Sequence, residues 1–375
     1  MDSIEPKIGI SKYNNMGGVT CYMNSILAIL QQTPIFADYI VDGSFYKYLM
    51  KNIKIKTGDD FTEKLLETVT FNIYRLFFHS LSSDDASITP TSFRRSINKI
   101  NPIWGEHAHQ DSQELFNFII MNLEEEQGIS IDFLPGRKKL TTAIDPKTAL
   151  VRIKAKKMWE TFIKKEFSPL KLMFTGLQHG IQICKLCKTQ NNSFQIFTTL
   201  QINIPIKDGF FNTKEYTLHE CLEHTLQDEV LDYENRMKCD FCCRKNRATK
   251  MSKIWKPPKI MVIHIKRFKM NMYGMITSKI DNKVNFPVLD FDISKYISDE
   301  SPHKDKCKYN LFGVNIHHSL GYSSNMNAGH YVSVIKNRLD NKWYLFNDSA
   351  PVKNVTDVDG IKHKNAYLLF YYRTN

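Results

Sequence analysis

No uninterrupted apolar run in this 375-residue chain reaches roughly 18 residues, the length a membrane-spanning helix needs. The first residues also lack the apolar core of a secretory leader. Both absences lead to the expectation of an intracellular protein, cytoplasmic or nuclear, that has no membrane partner. Internal repeats and low-complexity tracts are missing as well, which excludes solenoids and linker arrays. Acid is scarce relative to base: 39 Asp and Glu stand against 51 Lys and Arg, a net charge of +12. The excess is mostly scattered lysine, with one denser segment from Arg137 to Lys165. No interleaved aromatics accompany it, so a solvated basic surface is the reading and nucleic acid the lesser alternative. With 42% hydrophobic and 24% charged residues, the composition is that of a globular protein of one large domain or two smaller ones.

The chain changes character along its length. Residues 22 to 123 are expected to be mostly helical, with apolar spacing in Leu65–Phe78 and Leu115–Leu123. Asp111 followed by Glu114 has the form of a capping box opening the latter. The basic stretch from 128 to 168 carries turn signals at Pro135-Gly136 and Asp145-Pro146 and reads as an insertion or connector, in which Val151–Phe162 could be a helix. Beyond it, Phe194–Ile206, Lys259–Phe268, Tyr309–Ile316, Tyr331–Lys336, Trp343–Phe346 and Ala366–Tyr372 are β-branched, aromatic or alternating, as strands are. A helical first third followed by a β-rich remainder predicts an α+β architecture.

Eight cysteines are unevenly placed. Cys184 and Cys187 form one C-x-x-C pair and Cys239 and Cys242 a second, 52 positions further on; Cys243 adjoins it. Paired cysteines in a reducing compartment read as metal ligands. Two pairs supply the four thiolates of a closed, structural zinc site, each in a knuckle at the end of long strands. No organic cofactor is indicated.

Cys21 stands apart, between Gly17-Gly18 and a segment whose Met23, Ile26, Leu27 and Leu30 fall on one helical face. A cysteine at a helix N-terminus is favoured as thiolate. A nucleophile needs a base, and the base an orienting partner. Among the twelve histidines, His330 in Asn327-Ala328-Gly329-His330-Tyr331 precedes a strand. Asn347 and Asp348 lie at the end of a second strand, past a hairpin-like Asp340-Asn341. Either side chain could accept a hydrogen bond from Nδ1 of His330 and fix its tautomer. His264, His317 and His318 read as strand or loop histidines.

These segments resemble the ubiquitin-specific proteases, papain-like cysteine peptidases that remove ubiquitin, and the resemblance runs from Gly17 to Tyr372. Gly18–Ser25 is similar to the family's Cys box and His109–Leu115 to its Gln-Asp box. The two C-x-x-C pairs match its zinc ligands. Leu218–Leu222, Pro258–Phe268 and Val284–Pro287 match its palm and finger motifs. Tyr309–His317, Gly329–Tyr331 and Trp343–Ser349 complete its His box.

The resemblance implies a papain-like fold with a helical thumb at about 10–125 and a basic connector at 126–170. Zinc-binding fingers at 171–260 and a palm at 261–375 would follow. It implies Cys21 as nucleophile, His330 as base, Asn347 as third triad member and Asp348 as an assisting acid. Asp111 and Glu114 would hold the basic C-terminal tail of ubiquitin, although a helix cap competes for both. Met16 occupies the position where the family carries an oxyanion Asn. Asn15, brought in by a bulged loop, or the Cys21 amide with Asn24, would have to serve instead. The implied function is thiol-dependent hydrolysis after the C-terminal glycine of ubiquitin, by a monomer acting on ubiquitinated proteins. A weakly active or inactive ubiquitin-binding scaffold is the alternative.

Overall fold

The structure, a computed structural model, describes residues 9–52, 59–82, 87–132, 144–206, 214–271, 273, 276–319 and 329–374. The expected turn at Pro135-Gly136, residues 137–143 of the basic segment and Asn327-Ala328 lie outside them.

Helices dominate the first third, as the periodicity predicts, and the helix Cys21–Gln32 is its axle. Every one of its residues is buried, not one face alone. The helix Ser112–Gln127 packs on one side and the strand Gly329–Lys336 on another, so the apolar and small polar residues between Met23 and Leu30 all find neighbours. The periodic stretch Leu65–Phe78 divides into two helices, Asp59–Glu67 and Val69–Ser82, meeting at Thr68. A distant side chain explains the break. Glu126 accepts hydrogen bonds from the amides of Val69 (2.7 Å) and Thr70 (2.8 Å), capping the second helix from across the core.

Residues 146–165 form one helix, Pro146–Lys165. Asp145-Pro146, expected to mark a turn, instead starts it. The Asp145 carboxylate accepts from the amides of Lys147 and Thr148, and Pro146 takes the first helical position, where a missing N–H costs nothing. Val151 and Ala155 of this helix pack on Leu177, Phe194 and Trp255.

Those last three residues belong to a four-stranded sheet that includes the strands Gly176–Cys184, Gln190–Phe197 and Ala248–Lys256. The predicted strand Phe194–Ile206 is split between this sheet and a larger one. After Phe197 the chain turns, and Thr199–Asn203 runs parallel to Ile260–Lys266 in an eight-stranded sheet. Lys308–Ser319, Gly329–Lys336, Trp343–Phe346 and Ala366–Arg373 are its other long strands. Arg267, fully buried, ties the sheet to its margin. Its guanidinium donates to the carbonyls of Ala366, Ile280, Asn282 and Lys364 at 2.7–3.0 Å. Among the described residues no helix is long and apolar enough to cross a membrane.

Candidate active site and metal cluster

The seam between the helical third and the large sheet gathers the residues expected to be catalytic. Cys21 opens its helix and is fully buried. Burial pushes its thiol up to about 11, and the nearby Asp348 carboxylate adds to the rise. The amide of Tyr331, the residue after His330, hydrogen-bonds the sulfur and pulls the other way. Desolvation thus works against the thiolate that the helix N-terminus favours.

His330 sits in the strand Gly329–Lys336, opposite His318, and Asn347 directly follows the adjoining strand Trp343–Phe346. Asn347 Oδ1 lies 2.7 Å from the ring of His330, but at Nε2. The expected contact at Nδ1 is corrected: the antiparallel pairing of Ser333 with Phe346 brings Asn347 to Nε2 of the imidazole, and Nδ1 is not the atom it orients. Asp348 follows in a left-handed conformation (φ 48°), with Oδ2 3.9 Å from the same Nε2.

Two asparagines hold that carboxylate. Asn15 Nδ2 donates to Oδ2 (2.8 Å) and Asn24 Nδ2 to Oδ1 (2.7 Å). Gly17 and Gly18 turn the loop before Cys21 with φ of 65° and 73°, a region glycine enters without strain. The loop bulges, and Asn15 Oδ1 returns to accept from the Thr20 amide at 2.8 Å. Both candidate oxyanion amides thus have one N–H bound to Asp348, and Asn24 gives its other to the Tyr13 carbonyl at 3.3 Å.

Asp111 caps the helix Ser112–Gln127, accepting from the amides of Gln113 (2.5 Å) and Glu114 (3.1 Å) and from the Tyr367 hydroxyl. Burial raises its pKa. With Glu114, Gln201, His264, Lys266, Phe268 and Tyr367 it lines a groove of about 460 Å³. The pKa of Glu114 is raised by partial burial and by the charge of Asp111. Two features here escaped sequence reasoning. The Tyr331 amide carries no side-chain signal, and His317, in a strand as its sequence allows, lies buried directly beneath Gly329, which residue type alone does not reveal.

The sulfurs of Cys184, Cys187, Cys239 and Cys242 all lie within 4.8 Å of one another. Cross-pair separations are 3.5 Å (Cys187–Cys239) and 4.0 Å (Cys184–Cys242). Tetrahedral zinc with Zn–S near 2.3 Å requires about 3.8 Å between sulfurs, so the donor set can hold a metal ion. The first pair occupies the turn between the nine-residue strand Gly176–Cys184 and its partner. The second sits in a short hairpin of three-residue strands, Met237–Cys239 and Arg244–Asn246, not on long ones as expected. In both turns the residue after the second cysteine, Lys188 or Cys243, is left-handed. Cys243 points out to the Asp240 carbonyl, away from the cluster.

A family model described as ubiquitin carboxyl-terminal hydrolase matches residues 12–371. The chain belongs to this family. A ubiquitin carboxyl-terminal hydrolase 2 from Rattus norvegicus is 28% identical over 97% of the chain, which covers 54% of that relative. The one from Gallus gallus is 29% identical, with 93% of it covered. A probable ubiquitin carboxyl-terminal hydrolase of Acanthamoeba polyphaga mimivirus is 26% identical, with 91% covered. The chain thus spans about half the length of several of its relatives and nearly all of others. Among solved structures, the yeast SAGA DUBm with an Sgf73 mutant gives a TM-score of 0.69 at 23% identity, over all of this chain and 70% of that one. The SAGA Ubp8/Sgf11/Sus1/Sgf73 DUB module bound to ubiquitin aldehyde gives 0.67 at 24%, over all of this chain and 71% of that one. The fold is that of this family: α+β, with N-terminal helices, β-sheets and a four-cysteine cluster of zinc-ribbon type.

Proposed function

We propose that the chain is a thiol-dependent deubiquitinase, hydrolysing the isopeptide or peptide bond after the C-terminal glycine of ubiquitin. One observation carries the reading: the His330 ring, oriented by Asn347 at 2.7 Å, adjoins the residue whose amide contacts the Cys21 sulfur. In this reading residues 10–125 act as thumb, 171–260 as fingers and 261–375 as palm, with 126–170 as connector. The solved relative bound to ubiquitin aldehyde supports the substrate class.

His330 Nδ1 takes the proton of Cys21 as the sulfur attacks the glycine carbonyl. The Cys21 amide and the remaining N–H of Asn15 receive the developing oxyanion, since both N–H groups of Asn24 are taken, by Asp348 and by the Tyr13 carbonyl. Collapse breaks the C–N bond, and His330 passes the proton to the leaving lysine amine. Water, deprotonated by His330, then cleaves the thioester, releasing the glycine carboxylate and returning the thiol. Asn347 holds the imidazole by accepting from Nε2–H. The Asp348 carboxylate, 3.9 Å away, stabilises the imidazolium at each half-reaction. Asp111 and Glu114 face the groove that would take the basic tail of ubiquitin. Zinc on Cys184, Cys187, Cys239 and Cys242 would fasten the fingers and take no part in the chemistry.

Hydrolysis of a ubiquitin–fluorophore conjugate and labelling by ubiquitin propargylamide test the proposal. Both should occur in the wild type and vanish in Cys21→Ala. Retained hydrolysis in that variant refutes the nucleophile, and ubiquitin binding without labelling of the wild type points to the scaffold alternative. Parallel probes of other ubiquitin-like modifiers fix the substrate.

A further inference from the structure

His317 is only 1% exposed, yet among the described residues neither ring nitrogen has a hydrogen-bond partner. A buried imidazole with an unused donor and acceptor is costly, so its retention in the interior calls for a compensating role. Aromatic rings wall it in. Tyr331 is 4.6 Å away between centroids, Phe268 5.5 Å and Tyr367 6.3 Å. Its backbone is pinned too, its carbonyl accepting from Lys279 Nζ at 2.8 Å.

The remaining side of the ring meets Gly329. A Cβ added there would fall 2.1 Å from His317 Nε2, 2.5 Å from Cε1 and 2.9 Å from the His318 carbonyl oxygen. Gly329 is not among the residues of positive φ, so space rather than backbone strain demands glycine at this position. Phe268 and Tyr367, on the other flank of the ring, line the groove of Asp111 and Glu114. His317 therefore fills the gap between that groove and the residue immediately before His330.

Resting on the deubiquitinase reading, we infer that His317 is a positioning residue for the reaction: its ring is a spacer pressed against the Gly329 Cα, setting where the His330 strand begins and so how the imidazole meets Cys21. Its shape acts and its charge does not. Burial, with Lys279, His318, His109 and His330 around it, holds its pKa near 3, so the ring stays neutral at working pH. A side chain at 329 would have to displace the ring or the strand, and the ring is backed by Tyr331, Phe268 and Tyr367.

The test is a two-residue cycle read by kcat, KM and the iodoacetamide alkylation rate of Cys21. Displacing a catalytic group by an ångström costs about 100-fold, so Gly329→Ala is expected to lose about that factor in kcat while KM moves less than about threefold. Adding His317→Ala should return at least about tenfold, the non-additivity of residues in contact. The His318 carbonyl keeps the rescue incomplete. His317→Ala alone should lower kcat about three- to tenfold with KM unchanged, which decides the matter if Gly329→Ala does not fold. Wild-type kcat in either single variant, or a double variant no faster than Gly329→Ala, overturns the inference. Alkylation needs no ubiquitin and should follow the same order. A wild type inert to ubiquitin substrates but obeying the cycle in alkylation would therefore sink the deubiquitinase reading alone.

Discussion

The four-cysteine cluster and the Cys21 seam both assemble side chains from separated segments, and they do so by opposite means. In the cluster, each pair is set by a local turn, and the two turns share one conformation, with a left-handed residue after the second cysteine. Bringing the pairs together is the only long-range step. In the seam nothing is local. Asn15 and Asn24 come from one end of the chain, His330, Asn347 and Asp348 from the other, and packing of a helix against a strand makes them neighbours. A site built from turns depends on the ligand that joins them, whereas one built at an interface depends on the core behind it.

Metal removal should separate the two most sharply. Structural zinc contributes roughly 10–16 kcal/mol of apparent binding free energy, much of it to folding. Chelation, or Cys239→Ser, is thus expected to melt the fingers and lower the calorimetric Tm by more than any seam substitution. An unchanged Tm with zinc absent by elemental analysis would break the comparison. Within the seam, Asn347→Ala should lower kcat by about 100-fold through loss of the oriented tautomer, the lower end for acid–base residues. Asp348→Asn should lower it by about tenfold, or roughly 1.4 kcal/mol. The reverse order in steady-state kinetics would make Asp348 the third triad member.

Acid supplies a gentler contrast. Burial holds His264 neutral, with its pKa near 4 against about 6.5 in an unfolded chain. Its contribution is complete above pH 6.5 and is lost as pH falls towards 4, about 2 kcal/mol by pH 5. Burial raises the carboxyls of Asp111, Glu124 and Glu126, which act in the opposite sense. The readout is therefore the difference between wild type and His264→Gln in urea melts from pH 7.5 to 5, and a constant difference refutes it. Smallest of all, Cys243→Ser should leave zinc content at one per chain and stability within about 0.5 kcal/mol, as for an exposed residue.

What could be read in advance follows the same division. The cysteine pairs were visible because two-residue spacing is itself a ligand geometry. Strand and helix positions were visible wherever one neighbour sets the period, as in Trp343–Phe346. Cys21 and His330 could be singled out by residue type, but their pairing could be argued only through resemblance, since no spacing encodes it. Three features stayed out of reach because each depends on a side chain arriving from elsewhere. Glu126 divides Val69–Ser82 from the helix before it, ladder register presents Nε2 rather than Nδ1 to Asn347, and two asparagines share Asp348. His317 was hidden for another reason: burial, not type or spacing, is what distinguishes it.

The hydrogen bond from Asn15 to Asp348 spans 333 positions. At about 5–20 residues per second of synthesis, the ribosome needs roughly twenty seconds to a minute to lay down the chain between them. For most of that time the emerging polypeptide has Cys21 and lacks His330, Asn347 and Asp348. The site proposed here therefore cannot assemble on a nascent copy until the strand carrying His330 and the turn carrying Asp348 have emerged, with no separate inhibitor required.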